Sequence, residues 1–495
     1  MKKTISIIGA GTAGLASAIR LQSQGFQVTI FEKNPQVGGR MYTFQEKGFQ
    51  FDVGPTIVMM PEIYREVFEY SGANPDDYLS MQLLDPLYQL HYQDGTSFTV
   101  SSNLTKLIPA LEKISHEDTQ GYLAYLADIY ARYNVARKGF IDRSFLSSQD
   151  ILSWENILNT LKLRTFNSAY QSIAKFVKNE KLRQALSFQT LYIGVSPFVG
   201  PSIYTIIPMI ELLYGIWYIK GGMYAMAKAM QKRFEELGGK VITNANVSAI
   251  KIEDSQAKGI VVNQTFIPSD AVLVNADFPY AVSQLIEAKY RGKYQPKKLK
   301  KMEYSSSSFI MYFGLNKKIN TTVHQIRYAK DFKKNINDLF APTLPEDPSF
   351  YIYSPTQIDA SLAPLGKEII YVLVPVPNRE NQKFSWDENM KKTFRDKMVA
   401  KIKTIPGFAQ FEQTIEVEKI MTPRDWETQF NLQYAATFGF KPILFQSNFF
   451  RPQVKALKVN GLYFAGTSTH PGAGIPIVMK AAKIAVDTII KDFQS

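Results

Sequence analysis

A glycine-rich turn at the start of the chain joins an apolar, β-branched stretch to a segment with helical spacing. The stretch at residues 4–8 favours a buried parallel strand, and the helical segment covers residues 15–24. Between them stand Gly9, Gly11 and Gly14 with the spacing Gly-x-Gly-x-x-Gly. The first glycine permits the tight bend, the second lets backbone approach a pyrophosphate, and the third lets the helix pack against the strand. The order strand, turn, helix predicts a Rossmann-like α/β fold that binds a dinucleotide.

The second predicted strand, residues 28–31, ends at Glu32, whose carboxylate is placed to accept hydrogen bonds from an adenosine ribose without a 2′-phosphate. NAD and FAD use the same turn, so the residues that follow it separate them. Gly38, Gly39 and Arg40 place flexible backbone beside a cation that can bind a pyrophosphate bidentately. This extended pattern resembles the flavin amine oxidase and phytoene desaturase superfamily, and the resemblance implies FAD as the cofactor.

A second glycine-rich loop lies near the other end of the chain. Residues 462–465 favour a strand, the loop follows, and a helix is predicted from Ile475 onward. Backbone without side chains at Gly466, Gly472 and Gly474 can come close to a flat ring. The N-terminus of the helix would stabilise negative charge on a reduced flavin. We therefore predict that these glycines and Ile475 line the flavin.

The composition leaves redox chemistry to an organic cofactor. The 495 residues include no cysteine, which excludes disulfides, thiolate nucleophiles and cysteine-ligated metal sites. Four histidines are too few to indicate a histidine-rich metal cluster, so we predict no metal site. The formal net charge of +13 fits a soluble basic enzyme or attraction to anionic lipid. Because no nucleic-acid-binding motif accompanies this charge, we predict no nucleic-acid partner.

The pattern along the chain divides it between two units, in line with a length that predicts two or three domains. Residues 104–233 are mostly helical in their spacing, whereas residues 305–314 and 369–375 favour strands of a second sheet. Single strands are predicted at residues 241–252 and 259–266. The predicted division is a discontinuous Rossmann-like FAD-binding domain at residues 1–105, 220–290 and 415–495, and a mixed-sheet and helical, membrane-facing substrate domain at residues 106–219 and 291–414.

Short motifs spread along the chain carry a more specific resemblance. They are Phe51-Asp-Val-Gly54-Pro-Thr56, Glu180-Lys-Leu-Arg-Gln-Ala-Leu-Ser-Phe188, Lys220-Gly-Gly-Met223, Phe450-Arg-Pro452 and Thr469-His-Pro-Gly-Ala-Gly-Ile-Pro476. Together they resemble the bacterial carotenoid (phytoene-type) desaturase family over nearly the full length. Residues 57–61 and 188–194 make the chain most similar to the C30 enzymes that desaturate dehydrosqualene, also called 4,4′-diapophytoene.

The resemblance implies an FAD-dependent oxidoreductase acting on CH–CH groups. It would convert the linear C30 precursor, by successive hydride transfers to flavin, into coloured diapocarotenoids such as 4,4′-diaponeurosporene. A C40 phytoene desaturase and a C30 terminal-methyl oxidase on the same fold are the near alternatives, and an amine oxidase or a non-catalytic flavoprotein are more distant ones. The implied FAD contacts, with Val247 near the adenine, are Gly9, Gly11, Gly14, Glu32, Gly39, Arg40 and Gly54. The number of desaturation steps and the final electron acceptor stay open.

A substrate without polar groups needs an apolar tunnel, and this chain is 13% aromatic with 15 methionines. The candidate tunnel residues are Met59, Met60, Phe188, Tyr192, Met209 and Trp217. The first candidate for the proton acceptor is His470 in the flavin-loop motif. A hydrogen bond that orders the loop explains this histidine equally well.

Loading such a substrate requires contact with a bilayer. Residues 203–219 come nearest to a membrane span, but Pro208 and Glu211 interrupt the run, so no spanning helix is expected. We expect this run to dock on the membrane while nearby basic residues meet anionic headgroups. A buried helix beside the tunnel is the alternative. The expected location is cytoplasmic, with peripheral attachment to the inner face of the cell membrane.

Overall fold

A parallel five-stranded sheet forms around the N-terminal strand in the computed structural model, which describes residues 2–137 and 167–494. In spatial order its strands are Leu462–Phe464, Ala271–Val274, Thr4–Ile8, Gln27–Phe31 and Lys240–Ile242. In the central strand, Ile7 pairs with Ile30 on one side and with Leu273 on the other, and all three are fully buried. This confirms the predicted α/β fold and puts the glycine-rich turn at the carboxyl edge of the sheet.

Three helices cover this sheet, namely Thr12–Ser23, Met223–Glu236 and Ile475–Gln494. The first helix packs against both of the others. Its alanines, such as Ala13 and Ala16, are fully buried and let neighbouring backbone approach closely. The helix that follows the glycine-rich turn is therefore fixed from two sides, with its N-terminus at the carboxyl edge of the sheet.

A second sheet has seven strands and is mostly antiparallel. In spatial order the strands are Ile415–Met421, Ser307–Leu315, Glu368–Val376, Phe350–Tyr353, His324–Arg327, Tyr88–His91 and Ser97–Val100. All nine residues of Ser307–Leu315 are buried, because neighbouring strands pair with it on both sides and other side chains cover both faces. The second sheet predicted from residues 305–314 and 369–375 is therefore present.

The membership of this sheet differs from the predicted segment boundaries. Strands Tyr88–His91, Ser97–Val100 and Ile415–Met421 pair within it, although the sequence pattern placed them with the FAD-binding unit. The chain passes between the two sheets several times, and a local pattern does not show which partner a strand takes. The division into two domains stays a prediction.

Two predicted strands are each split by a turn. Residues 241–252 divide into Lys240–Ile242 and Val247–Glu253, which belong to different sheets. Residues 259–266 cross a hairpin, because Asn263 and Gln264 both have positive φ, as a two-residue hairpin turn requires. A three-stranded sheet results from Val247–Glu253, Gln256–Val262 and Thr265–Pro268, and two-stranded sheets form from Thr43–Glu46 with Phe49–Asp52 and from Met81–Leu83 with Trp217–Ile219.

Four of the ten remaining described α-helices lie in the segment predicted to be helical, residues 104–233, and six lie outside it. Those described are Pro61–Tyr70, Leu104–Ala136, Ala169–Ile173, Glu180–Ser187, Ile206–Tyr214, Phe278–Tyr280, Pro296–Leu299, Phe332–Asp338, Glu388–Lys403 and Pro423–Phe430. Leu104–Ala136 is interrupted at Ser115, where the backbone is extended. Of the helical prediction for residues 104–233, the part at residues 138–166 lies outside the described residues. No helix within the described ranges is long and apolar enough to cross a membrane.

Candidate active site

A cavity of about 600 Å³ begins at the glycine-rich turn and continues as an apolar arm. Its polar part is lined by the turn, by the C-terminal loop and by residues after the parallel strands. Its apolar arm is lined by side chains from residues 188–210 and from the seven-stranded sheet. Predicted site residues in the wall are Gly9, Gly11, Glu32, Gly39, Arg40, Gly54, Met59, Met60, Phe188, Tyr192, Val247, Gly466, Gly472, Gly474 and Ile475.

The glycines of the N-terminal turn leave no room for side chains. A Cβ atom on Gly14 would lie 2.1 Å from the carbonyl oxygen of Gly9, and one on Gly11 would lie 2.8 Å from Oδ1 of Asn275. Asn275 itself accepts a hydrogen bond from the Gly14 N–H at 3.0 Å and donates to the Ala465 carbonyl at 2.7 Å. It therefore ties the turn to the C-terminal strand. Sequence reasoning missed Asn275, although it directly follows a buried strand.

The turn and its surroundings fit a dinucleotide such as FAD. Gly11 caps the first helix without a side-chain hydrogen bond, so the helix N-terminus stays open to a phosphate. Glu32 is 4% exposed at the cavity wall, and its carboxylate accepts hydrogen bonds from the N–H groups of Ala10 and Asn34 at 2.8 and 2.9 Å. These two bonds fix the carboxylate at the end of its strand, where a ribose of a bound dinucleotide would be recognised.

Arg40 and Asp277 both lie in the cavity wall, near enough for the charge of one to act on the other. The Arg40 guanidinium donates to the Thr437 carbonyl and, at 3.1 Å, to the Thr467 hydroxyl. Burial raises the pKa of Asp277 to about 6, although hydrogen bonds and the nearby Arg40 charge oppose the rise. Asp277 also accepts a hydrogen bond from the Ser468 hydroxyl at 3.2 Å. Arg40 and Asp277 therefore each bind a residue of the C-terminal loop, Thr467 and Ser468 respectively. The sequence pattern did not reveal Asp277.

A buried arginine, Arg451, supports the C-terminal loop from behind. It is 1% exposed, and its guanidinium donates to the carbonyl oxygens of Thr469 at 3.1 Å, Gln446 at 3.2 Å and Phe440 at 3.2 Å, besides that of Thr467. One side chain thus satisfies four backbone acceptors that a loop cannot satisfy by itself. Its one signal in the sequence is its place in the Phe-Arg-Pro motif at residues 450–452.

The structure places His470 behind the loop rather than in the cavity wall. The residue is fully buried, and its backbone N–H donates to the Pro452 carbonyl at 2.8 Å. The peptide bond between His470 and Pro471 is cis. Pro471 and Gly472 line the cavity, whereas the described wall does not include His470. A proton acceptor must reach the substrate, so this position does not support the catalytic role predicted for His470.

Two of the six predicted tunnel residues also lie away from the described wall. Met209 is fully buried in a core that helices and strands of the seven-stranded sheet share. Trp217 lies in a short strand, and its indole N–H donates to the Tyr214 carbonyl at 2.9 Å. The helical run places Ile207 and Ile210 toward the cavity instead, one turn apart. Sequence composition marks residues as apolar, but not the helix face on which they lie.

The sequence did not predict two polar features beside the apolar arm, namely the carboxyl group of Glu211 and a hydrogen-bonded cluster of Thr56, Tyr351 and His324. Glu211 is fully buried, and burial raises its pKa to about 7. Thr56 and Tyr351 line the cavity, and their hydroxyl groups are 2.7 Å apart. The Tyr351 hydroxyl is also 2.6 Å from Nδ1 of His324, whose pKa is lowered by burial to about 3. His324 is therefore neutral at physiological pH.

Comparison with known proteins agrees with this architecture. The family model for flavin containing amine oxidoreductases matches residues 12–490. A 4,4′-diapophytoene desaturase (4,4′-diaponeurosporene-forming) from Staphylococcus haemolyticus is 43% identical over 496 residues, and the alignment covers 99% of each chain. The enzyme of the same name from Staphylococcus aureus strain Newman is 41% identical over 497 residues, again with 99% of each chain covered.

Solved structures with low sequence identity share the fold. An oxidoreductase from Methanosarcina mazei has a TM-score of 0.63 at 17% identity, with 99% of this chain and 100% of that chain covered. Putrescine oxidase bound to putrescine has a TM-score of 0.62 at 12% identity, with both chains fully covered. The cofactor of this protein is FAD. The chain therefore belongs to the flavin containing amine oxidoreductase family, and within it to the group of the 4,4′-diapophytoene desaturases.

Proposed function

We propose that this enzyme desaturates 4,4′-diapophytoene to coloured products such as 4,4′-diaponeurosporene. The observation that carries the proposal is the identity of 41–43% to desaturases of that name over 99% of the chain. The cavity supports it, because an apolar arm is continuous with the dinucleotide end. A hydrocarbon substrate offers nothing to hydrogen-bond, so shape and apolar contact must hold it.

When bound, FAD supplies the acceptor for the hydride removed from the substrate, which carries both electrons. The residues of the chain have three tasks around it. The glycine-rich turn, Glu32 and Arg40 would hold the dinucleotide. Phe188, Tyr192 and their apolar neighbours would orient the polyene and exclude water, which keeps the reacting carbon in place. A further group must take the proton that leaves the neighbouring carbon.

The first test is pigment formation in cells that make either C30 dehydrosqualene or C40 phytoene. We expect a yellow C30 product that has lost pairs of hydrogen atoms and gained no oxygen, as absorbance and mass spectrometry of the extract will show. Colour from the C40 precursor alone would transfer the reaction to phytoene. An oxygen-containing C30 product would favour the terminal-methyl oxidase, and no product from either precursor would contradict the proposed function.

We also propose that the protein attaches peripherally to the inner face of the cell membrane, through a surface other than residues 203–219. Most of that run is buried or lines the cavity, and only Leu213 and Tyr214 at its helical end are exposed. Phe445 and Phe450 are among the large apolar side chains exposed elsewhere, with exposed fractions of 72% and 50%, and their ring centroids lie 5.8 Å apart. Leu444 and Ser447, near neighbours of Phe445, line the cavity, so Phe445 and the adjoining Phe450 stand beside it.

A basic segment adjoins the exposed aromatic residues. Its exposed lysines, which form no ion pair with another described residue, are Lys293, Lys297, Lys298, Lys300 and Lys301. The segment is tied to Phe445 through Gln446, which exchanges two hydrogen bonds of 2.9 Å with the backbone of Glu303. We call this set the aromatic–basic surface. Apolar side chains beside unpaired cations are complementary to a bilayer that contains anionic lipid.

Reversing the charge of Lys297, Lys298 and Lys300 to glutamate should weaken binding to phosphatidylglycerol vesicles by about 100-fold, since each basic residue near such a surface contributes about 1 kcal/mol. Vesicle flotation at low salt measures this. The matched control reverses Lys240, Lys251 and Lys258, which are exposed on strands outside the surface and give the same net charge. Equal loss in both triple variants would contradict a defined docking surface. If the wild type bound a protein partner but no vesicles, the proposed attachment to the bilayer would also be contradicted.

A further inference from the structure

A carboxyl group without a cation lies behind the apolar arm of the cavity. Among the described residues, Glu211 accepts hydrogen bonds from the Tyr88 hydroxyl at 3.0 Å and from the Gln189 amide at 3.1 Å. It stands one helical turn after Ile207, which lines the cavity, so both side chains project from the same face of the helix. Burying a carboxyl group among neutral partners has a free-energy cost that an apolar side chain would avoid. Its presence beside the reaction cavity therefore indicates a function.

Tyr192 connects this carboxyl group to the cavity. The tyrosine lines the cavity wall, and its hydroxyl lies close enough to Glu211 for each group to shift the pKa of the other. The Tyr192 hydroxyl and Oε1 of Glu211 are shielded from water and have no other hydrogen-bond partner among the described residues. Leaving a buried polar atom without a hydrogen-bond partner is unfavourable, which favours a hydrogen bond between these two neighbours.

We propose that Glu211 accepts the proton released in the desaturation, and that the hydroxyl of Tyr192 passes it on; this rests on the proposed function. Loss of the hydride to the flavin leaves a positive charge on the substrate. The C–H bond on the adjacent carbon then breaks, and its electron pair becomes the second bond of the new double bond. The proton goes to the Tyr192 oxygen while the Tyr192 O–H proton goes to the Glu211 carboxylate. Glu211 returns the proton to solvent before the next turnover.

The surroundings of Glu211 give this step a defined pH dependence. The titratable groups that face it are Tyr88, Tyr122, Tyr192 and Tyr328, and burial raises the pKa of each far above the physiological range. They stay neutral, so Glu211 titrates alone, with its own pKa raised by burial to about 7. Only the carboxylate accepts a proton. We therefore expect kcat to rise with pH through about 7 and to level off above it.

Glu211→Gln keeps the size and hydrogen bonds of the side chain but removes the proton acceptor. We expect kcat to fall about 100-fold or more with KM nearly unchanged, and the rise of kcat near pH 7 to disappear. Tyr192→Phe should lower kcat in the same direction. The matched control is Glu46→Gln, at an exposed position of a hairpin, which should behave as the wild type. Retained visible flavin absorbance and an unchanged Tm show that each variant is folded.

A measurement without substrate separates this inference from the proposed function. Infrared difference spectra of the holoenzyme between pH 5 and 9 should show a buried carboxyl group that titrates near pH 7 in the wild type and is missing in Glu211→Gln. If the wild type converts no C30 precursor but the infrared signal is present, the substrate assignment fails and the kinetic test moves to the polyene that is converted. If Glu211→Gln and Tyr192→Phe both had the kcat and the pH profile of the wild type, the inference would be overturned.

Discussion

Replacing Gly14 with alanine is expected to give a protein that does not retain FAD. The new Cβ would lie 2.1 Å from the carbonyl oxygen of Gly9, and neither backbone segment has a flexible end that could move aside. The helix would have to shift away from its strand and lose the Gly14–Asn275 hydrogen bond. We expect a free-energy cost of about 3 kcal/mol or more, which corresponds to at least about a 100-fold loss of FAD affinity. Flavin absorbance after gel filtration measures retention.

The control for this experiment is Gly25→Ala. Gly25 also belongs to the first βαβ unit, but a Cβ there meets nothing within 4 Å. Its φ of +87° makes alanine unfavourable by about 1 kcal/mol, so Tm should fall modestly while FAD stays bound. Full FAD occupancy in Gly14→Ala, or equal loss in both variants, would show that the close contact at the turn does not govern cofactor binding.

Arg451→Met is expected to lower the free energy of unfolding by about 4 kcal/mol and to release FAD. Methionine fills part of the space but leaves four buried carbonyl oxygens without a donor, and each such group costs about 1–3 kcal/mol. Two of these carbonyls belong to the loop at residues 466–474, so the loop should loosen first. Thermal and urea unfolding, with and without added FAD, separate the loss of stability from the loss of cofactor affinity.

Arg424→Met provides the matched comparison, because Arg424 is exposed and the same substitution removes the same charge. Its free energy of unfolding should change by less than about 0.5 kcal/mol. If Arg451→Met unfolded at the same urea concentration as Arg424→Met, the buried guanidinium would not be the support of the loop.

The cofactor half of the site could be predicted because its signals are local. The spacing of Gly9, Gly11 and Gly14 forms a turn within six residues, and Glu32 follows at the end of the next strand. Such patterns report backbone requirements that do not depend on the rest of the fold. The cavity wall accordingly contains the turn and its carboxylate, together with the glycines of the C-terminal loop.

The substrate half was predicted less well because its residues share only an apolar character. Phe188 and Tyr192 line the cavity while Met209 and Trp217 do not, and only tertiary packing decides between them. The same holds for Glu211, which in the sequence only interrupts the apolar run at residues 203–219. Its neighbours Tyr88 and Gln189 are 123 and 22 residues away in sequence, respectively. No local pattern brings these groups together.

The strand order of the parallel sheet has a consequence for biosynthesis. The first strand of the chain lies between Gln27–Phe31, made soon after it, and Ala271–Val274, which in turn pairs with Leu462–Phe464. A nascent chain on the ribosome can form the first βαβ unit, which ends at Phe31, early, but the flavin loop starts only at Gly466, 435 residues later. Contacts this distant in sequence form slowly. FAD loading is therefore a late event of translation or follows it, and until then the apolar residues of the site are exposed to aggregation.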